Sequence, residues 1–213
     1  MDRVYTIGIC LVAVLALGSR RCNAVQSCED KALKECVVQY ASGFADPKYQ
    51  KLDDLKLHCL LDKKLAICAN KYLNQFSSSA FLGLAKAALS YVVFEKKLKV
   101  CRLYKYKRLA KKLDRVSGDK KADRIWRKRI DRLLHPSKIP KCAKQVDKEC
   151  VREYAKRMRK NPNLCENIPF KSKCLLEGTK TCKATILTDL LDVFPYEANK
   201  VLAVFCQKAQ DSG

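Results

Sequence analysis

A pattern of cysteines that occurs twice constrains this chain more than any other feature. Residues 28–41 (CEDKALKECVVQYA) align without gaps on residues 142–155 (CAKQVDKECVREYA), with seven of the fourteen positions identical at an offset of 114. A second anchor repeats at nearly the same interval. Cys59-Leu60-Leu61 opens a segment that ends at Cys68, and Cys174-Leu175-Leu176 opens one that ends at Cys182. Matched cysteines argue against chance similarity between lysine-rich helices and for an internal duplication. The expected organisation is a signal peptide over 1–24, a first cysteine-rich helical repeat over 25–101, a basic connector over 102–138 and a second repeat over 139–213.

Within each half the first segment has helical period. Cys28, Ala32, Cys36, Val37 and Tyr40 recur on one face, as do Cys142, Val146, Cys150, Val151 and Tyr154. Ser27 can cap the first helix with Asp30 three residues on, and Gly43 with Pro47 beyond it supplies a stop. Return helices are expected over 52–73 and 173–191, the latter weakened by Gly178, and the apolar stretch 80–94 (AFLGLAKAALSYVVF) reads as a third helix covering the first hairpin. No segment shows sustained strand alternation. The fold class is therefore all-α: two tandem disulfide-stapled helical-hairpin repeats joined by a basic helical connector.

Spacing also suggests how the cysteines pair. Cys28 to Cys36 and Cys59 to Cys68 each span roughly 12 to 13 Å of helix at 1.5 Å per residue. In an antiparallel hairpin Cys36 would meet Cys59 near the loop and Cys28 would meet Cys68 at the open end. In the second half Cys150 would meet Cys174 and Cys142 would meet Cys182. The remaining pairs are Cys22 with Cys101 and Cys165 with Cys206, assigned by elimination. Each bridge contributes about 2–4 kcal/mol, mainly by restricting the unfolded chain. Structural zinc would want close pairs such as CxxC and a reducing compartment, and neither is present.

The compartment follows from the N-terminus and the cysteine count. The uncharged run from Thr6 to Gly18 is too short to span a bilayer and is followed by Ser19, Arg20 and Arg21, as in a secretory signal. Cleavage after Gly18 removes only Cys10 of the 13 cysteines and leaves an even number, whereas cleavage after Ala24 also removes Cys22; parity favours the first and the longer c-region the second. A secreted, extracellular protein is expected. With 48% hydrophobic residues it is not intrinsically disordered.

Charge is concentrated in the middle. The chain carries 44 Lys and Arg against 22 Asp and Glu, and residues 95–160 hold 26 of the former and 8 of the latter, so +18 of the net +22 lies there. Its centre, 101–134, interleaves Tyr104, Tyr106 and Trp126 among the bases and reads as two basic amphipathic helices broken at Ser117-Gly118. Arg102, Lys105, Lys107, Arg108, Lys111, Lys112, Arg127, Lys128 and Arg129 are the candidate binding residues, suited to arrays of phosphate, sulfate or carboxylate. Nucleic acid is a polyanion physically, but a secreted chain seldom has it as a partner. The apolar 80–94 stretch beside the basic run keeps a membrane surface in view as well. Lys107-Arg108 and 126–129 could also be processing sites.

Signals for catalysis are weak. His58 precedes Cys59 on an expected helix and His135 precedes Pro136 in the connector. There is no HD pair of a secreted phospholipase, no GxSxG, no HExxH and no glycine-rich phosphate loop. Neither a cofactor nor a metal site is expected, and no N-x-S/T sequon occurs.

The stretch CEDKALKECVVQYASG (Cys28 to Gly43), followed by CLLDKKLAIC (Cys59 to Cys68), resembles the helical, disulfide-rich con-ikot-ikot conotoxins of cone-snail venom. The likeness lies in the cysteine spacing and a CxxxY helix, while the adjacent cysteine pairs of that family are absent. It implies a secreted protein, with a dimer among its assemblies, that binds the extracellular face of a receptor or channel. The leading expectation is a secreted, non-enzymatic protein that binds an acidic extracellular partner. The alternatives are a matrix, shell or reproductive-tract component binding anionic polymers and, third, a small secreted hydrolase.

Overall fold

The computed structural model describes residues 32–72, 89, 91–101, 124–193 and 206. All regular structure among them is helical. The first helix, α1, is a π-helical turn over Leu33–Val38 that runs on as an α-helix over Gln39–Gly43; a 3-10 turn over Pro47–Tyr49 leads into α2, Asp54–Tyr72. Helical residues 91–97 form α3, followed by α4 (Arg124–Leu134), α5 (Lys141–Lys160), α6 (Leu164–Thr181) and α7 over 185–193. None of these helices is long and apolar enough to cross a membrane.

Helix ends follow from local chemistry. Asp46 caps the 3-10 turn by accepting from the Lys48 amide, and Pro47 sits at its first position, where no donor is needed. Between α5 and α6 only Asn161, Pro162 and Asn163 intervene. The Asn163 side chain caps α6 by accepting from the Cys165 amide at 2.9 Å. Asn167, buried one turn into α6, donates to the carbonyls of Asn161 (2.7 Å) and Asn163 (2.9 Å) and so ties the turn shut. Past α3 the chain turns through Lys99 at φ 59°, with the Lys99 amide donating to Lys96 and the Val100 amide to Glu95. That is a Schellman cap built on lysine instead of glycine, and it folds Cys101 back over α3.

Among the described residues five disulfides staple the fold: Cys36–Cys68, Cys59–Cys101, Cys142–Cys182, Cys150–Cys174 and Cys165–Cys206. Such density is the pattern of an extracellular or secreted protein. In the second hairpin the rungs are those expected from spacing, and Gly178 explains them. A Cβ on Gly178 would stand 2.2 Å from Val146 Cγ1, so α5 and α6 approach too closely there for any side chain. Cys142–Cys182, Val146–Gly178 and Cys150–Cys174 follow one another at four-residue steps along both helices. The glycine that weakened the expected return helix is the residue that lets it pack.

The first hairpin departs from the expectation. Cys36 bonds Cys68 rather than Cys59, and Cys59 bonds Cys101, which had been assigned to Cys22. Cys22 and Cys28 lie outside the described residues. The cause is register. Gly43 packs against Leu61, where a Cβ would be 2.5 Å from Cδ2, and seven residues further along each helix Cys36 reaches Cys68. The first turns of α2 thus project past the end of α1. They are held there by the other half: Arg159 on α5 donates to Asp54 Oδ1 (2.6 Å) and to the carbonyls of Tyr49 and Leu52. Gly43 itself has no positive φ, so it serves close packing rather than a left-handed stop. The second return helix also differs: α6 begins at Leu164 and ends at Thr181, and the chain extends through Cys182 before α7.

Two large apolar clusters hold the helices together. In one, Phe44, Leu57 and Leu61 meet Tyr154, Ala155, Met158 and Leu164. In the other, Tyr91, Phe94 and Leu98 join Leu133, Ala143, Cys150, Leu175, Leu187, Leu190 and Val193. The described end of the 80–94 stretch is core: Leu89, Val93 and Phe94 are fully buried.

Candidate functional site

Between the two apolar clusters lies a group of ionisable side chains that no apolar pattern would put inside. His58 and Asp62 stand one turn apart on α2, flanked by the buried Leu57 and Leu61. Tyr91 and Glu95 come from α3, Asp147 and Tyr154 from α5, and Lys171 from α6 between the inward-facing Asn167 and Leu175. His58, Glu95 and Asp147 have no exposed surface, and Lys171 retains 2%.

The contacts are close. His58 Nε2 lies 2.9 Å from Glu95 Oε1 and 3.1 Å from Asp62 Oδ2. Lys171 Nζ is 3.8 Å from Glu95 Oε1 and sits over the rings of Tyr91 (3.9 Å) and Tyr154 (4.9 Å), a cation held by one carboxylate and two aromatic faces. The Tyr91 hydroxyl donates to Asp147 Oδ1 at 3.3 Å, while Asp147 Oδ2 has no hydrogen-bond partner among the described residues.

Electrostatics follow from this packing. Burial pushes the His58 imidazole down, but the Asp62 and Glu95 carboxylates outweigh it and raise its pKa to about 9. Burial, reinforced by the Glu95 charge, raises Asp147 to about 7, with Lys171 and His58 only partly offsetting it. Asp62 is also buried, yet the neighbouring His58 cation holds it below its usual range. Tyr91 and Tyr154 are pushed up chiefly by burial. With a proton on Asp147, two cations face two carboxylates and the cluster is neutral.

His58, Glu95 and Cys101 have ligand atoms close enough to suggest a metal, all within 4.8 Å of one another. They do not fit one. Cys101 Sγ is spent in the bond to Cys59, and Lys171 already occupies the position beside Glu95. What the arrangement can do chemically is join α2, α3, α5 and α6 through one sealed, charge-balanced network.

One member carried a usable signal: Asp147 falls on the stripe Ala143, Val151, Tyr154 that α5 buries. Glu95 and Lys171 lie in charged surroundings and carry no such mark. His58, which shows no catalytic partner in its sequence neighbourhood, has carboxylate neighbours in the fold, but they are closed to solvent.

Of the candidate binding residues, Arg102, Lys105, Lys107, Arg108, Lys111 and Lys112 lie outside the described residues. Arg127, Lys128 and Arg129 are carried by α4. Lys128 is exposed, and Arg129 pairs with Asp192 on α7 at 3.0 Å. Beside it Arg132 grips Asp189 with two hydrogen bonds of 2.6 and 2.5 Å, so α4 is docked on the second half by its own cations. No family model matches the chain, and no curated protein or solved structure matches it either.

Proposed function

We propose that this is a secreted, non-enzymatic protein of two tandem helical repeats that binds an acidic extracellular partner, protein or polyanion, through its basic middle region at 102–138. The observation that carries the reading is the placement of +18 of the net +22 charge within residues 95–160. Five disulfides support secretion. Among the described residues, the burial of the cluster that mixes histidine, lysine and carboxylates supports a binding role over a hydrolytic one, because His58 has no exposed surface to offer a substrate.

Charge reversal tests the reading. Changing Lys105, Lys107, Arg108, Lys111 and Lys112 to Glu abolishes binding to an anionic matrix and leaves helical circular dichroism unchanged. Reversal of the exposed Lys63, Lys64, Lys173, Lys180 and Lys183 is the comparison. Equal weakening by both sets would reduce the middle region to a linker.

A further inference from the structure

The cations of α5 are arranged differently from those of α4. Lys144, Lys148, Arg152 and Lys156 follow one another at four-residue spacing, with Lys141 in line. At 3.6 residues per turn and 1.5 Å rise, the five fall within about 120° of the helix circumference and along about 22 Å of its axis. Four are exposed and Lys148 is half-buried. Glu149 and Glu153 lie just beyond one edge of that arc, and none of the five cations makes an ion pair among the described residues. Arg159, one turn on, is by contrast committed to Asp54.

Like charges at i, i+4 oppose helix formation. Three successive such pairs, kept on the helix that forms both the hairpin and the sealed cluster, call for an external counter-charge. We propose that this ladder is a binding site for a linear sulfated polysaccharide, lying along α5. The inference rests on the polyanion-binding reading above and adds a second, rigid surface to it.

Three features favour that occupant. The cations form a line rather than a disc, which suits a polymer. The apolar residues of α5 face inward, and among the described residues the large exposed hydrophobics are Val38, Ile67 and Leu176 on other helices, so α5 itself has nothing to insert into a bilayer. Tyr154, the one aromatic on α5, is buried, which leaves no stacking platform for the bases of a single-stranded nucleic acid.

The test uses the full chain, heparin as the sulfated polysaccharide, and four variants, three of which keep helix propensity because glutamine replaces the cation. In the ladder variant Lys144→Gln, Lys148→Gln, Arg152→Gln and Lys156→Gln are combined. The control carries Lys63→Gln, Lys173→Gln, Lys180→Gln and Lys183→Gln, and the connector variant is the five-residue reversal described above. Lys144→Gln with Lys148→Gln alone gives the fourth. The ladder variant should bind heparin about 100-fold more weakly at 0.15 M salt, with a slope of log affinity on log salt lower by about three to four, and the pair should lose about half of that slope. The control should change little.

Heparin affinity of the ladder variant matching the control would overturn the proposal, whether or not the connector variant still binds. If the connector variant alone loses binding, the ladder falls and the reading of the middle region stands. If the ladder variant alone loses it, the ladder stands and the connector assignment falls. Equal losses on phosphatidylserine vesicles, or on a DNA duplex of the same charge, would overturn the choice of a sulfated polymer.

Discussion

The hydroxyls of Tyr40 and Tyr154 lie 3.5 Å apart, and the two residues are separated by 114 positions, the interval at which the cysteine pattern repeats. Their neighbours keep the correspondence. Ala41 and Phe44 share one apolar cluster with Ala155 and Met158, the residues that lie 114 positions further on. Residues 114 positions apart thus face each other across this contact. The pairing has an edge: Phe44 meets Tyr154 ring to ring at 5.8 Å and 86°, a contact that Met158 cannot return.

Adding a methyl group at Gly178 should be costly. Alanine gains about 1 kcal/mol of helix propensity over glycine, but its Cβ would stand 2.2 Å from Val146 Cγ1 and 3.2 Å from Val146 Cβ. Valine cannot swing away, and disulfides four residues to either side prevent the helices from parting. Gly178→Ala is expected to lose about 1–3 kcal/mol, read by denaturant unfolding, and Val146→Ala in the same chain should recover much of it. A neutral Gly178→Ala would refute the close approach. Gly43→Ala should cost less, because the atom it meets is the mobile end of Leu61.

Stability should fall as pH rises from about 4 to about 9. Asp147 holds its proton up to about pH 7 in the fold, so its contribution is full below 3.8 and lost as pH climbs to 7. His58, facing Asp62 and Glu95 with Lys171 nearby, contributes fully below 6.5 and loses that contribution as pH rises through about 9. Asp62 acts in the opposite sense and removes stability only below 3.8. The optimum therefore lies near pH 4–5. Unfolding at pH 5, 7 and 9 should show the decline, and Asp147→Asn should flatten its lower arm; a maximum near pH 8 would contradict both assignments.

Removing the central anion should be more damaging than removing a surface charge. Glu95 faces His58 at 2.9 Å and Lys171 at 3.8 Å with no exposed surface. Glu95→Gln leaves Lys171 buried against a neutral amide and His58 with Asp62 as its one carboxylate contact among the described residues, for an expected loss of about 3–5 kcal/mol. A loss under about 1 kcal/mol in chemical denaturation would mean that the cluster does not hold the halves together.

The rungs of the second hairpin were legible in the sequence because the cysteine intervals match on its two helices, but its return helix was not, because Gly178 reads as a weakness until Val146 is seen to pack on it and the turn at Asn161–Asn163 carries no apolar signal. The first hairpin was not, because its register is set from outside. Arg159 and Tyr154, more than a hundred residues away, draw the start of α2 past the end of α1, and no interval between Cys36 and Cys59 carries that information. The sealed cluster was hidden for a related reason. Glu95 and Lys171 are ordinary members of a charged composition until helices from both halves close around them.

Disulfide reduction should proceed in a definite order. Cys142 is exposed, so Cys142–Cys182 is open to attack by a thiolate reductant. Cys101 is 5% exposed and its sulfur packs 3.2 Å from Glu95 Oε2 at the sealed cluster, which a thiolate must open to reach it. Limited treatment with glutathione, alkylation and mass mapping should therefore find Cys142 and Cys182 labelled first and Cys59 and Cys101 last. The reverse order would contradict the placement of Cys101.

The packing of Gly43 on Leu61 has a further consequence for how the chain matures in an oxidising compartment. A hairpin slid by nine residues would bring Cys36 to Cys59 and close a loop shorter than the native separation of 32, so oxidation by proximity alone has two products to choose from. Only the native one seats Leu61 in the space that a missing side chain leaves at Gly43. Apolar docking of α1, α2 and α5 must then precede the closing of the Cys36 bond, and the sulfurs record a choice of partner that the glycine has already made.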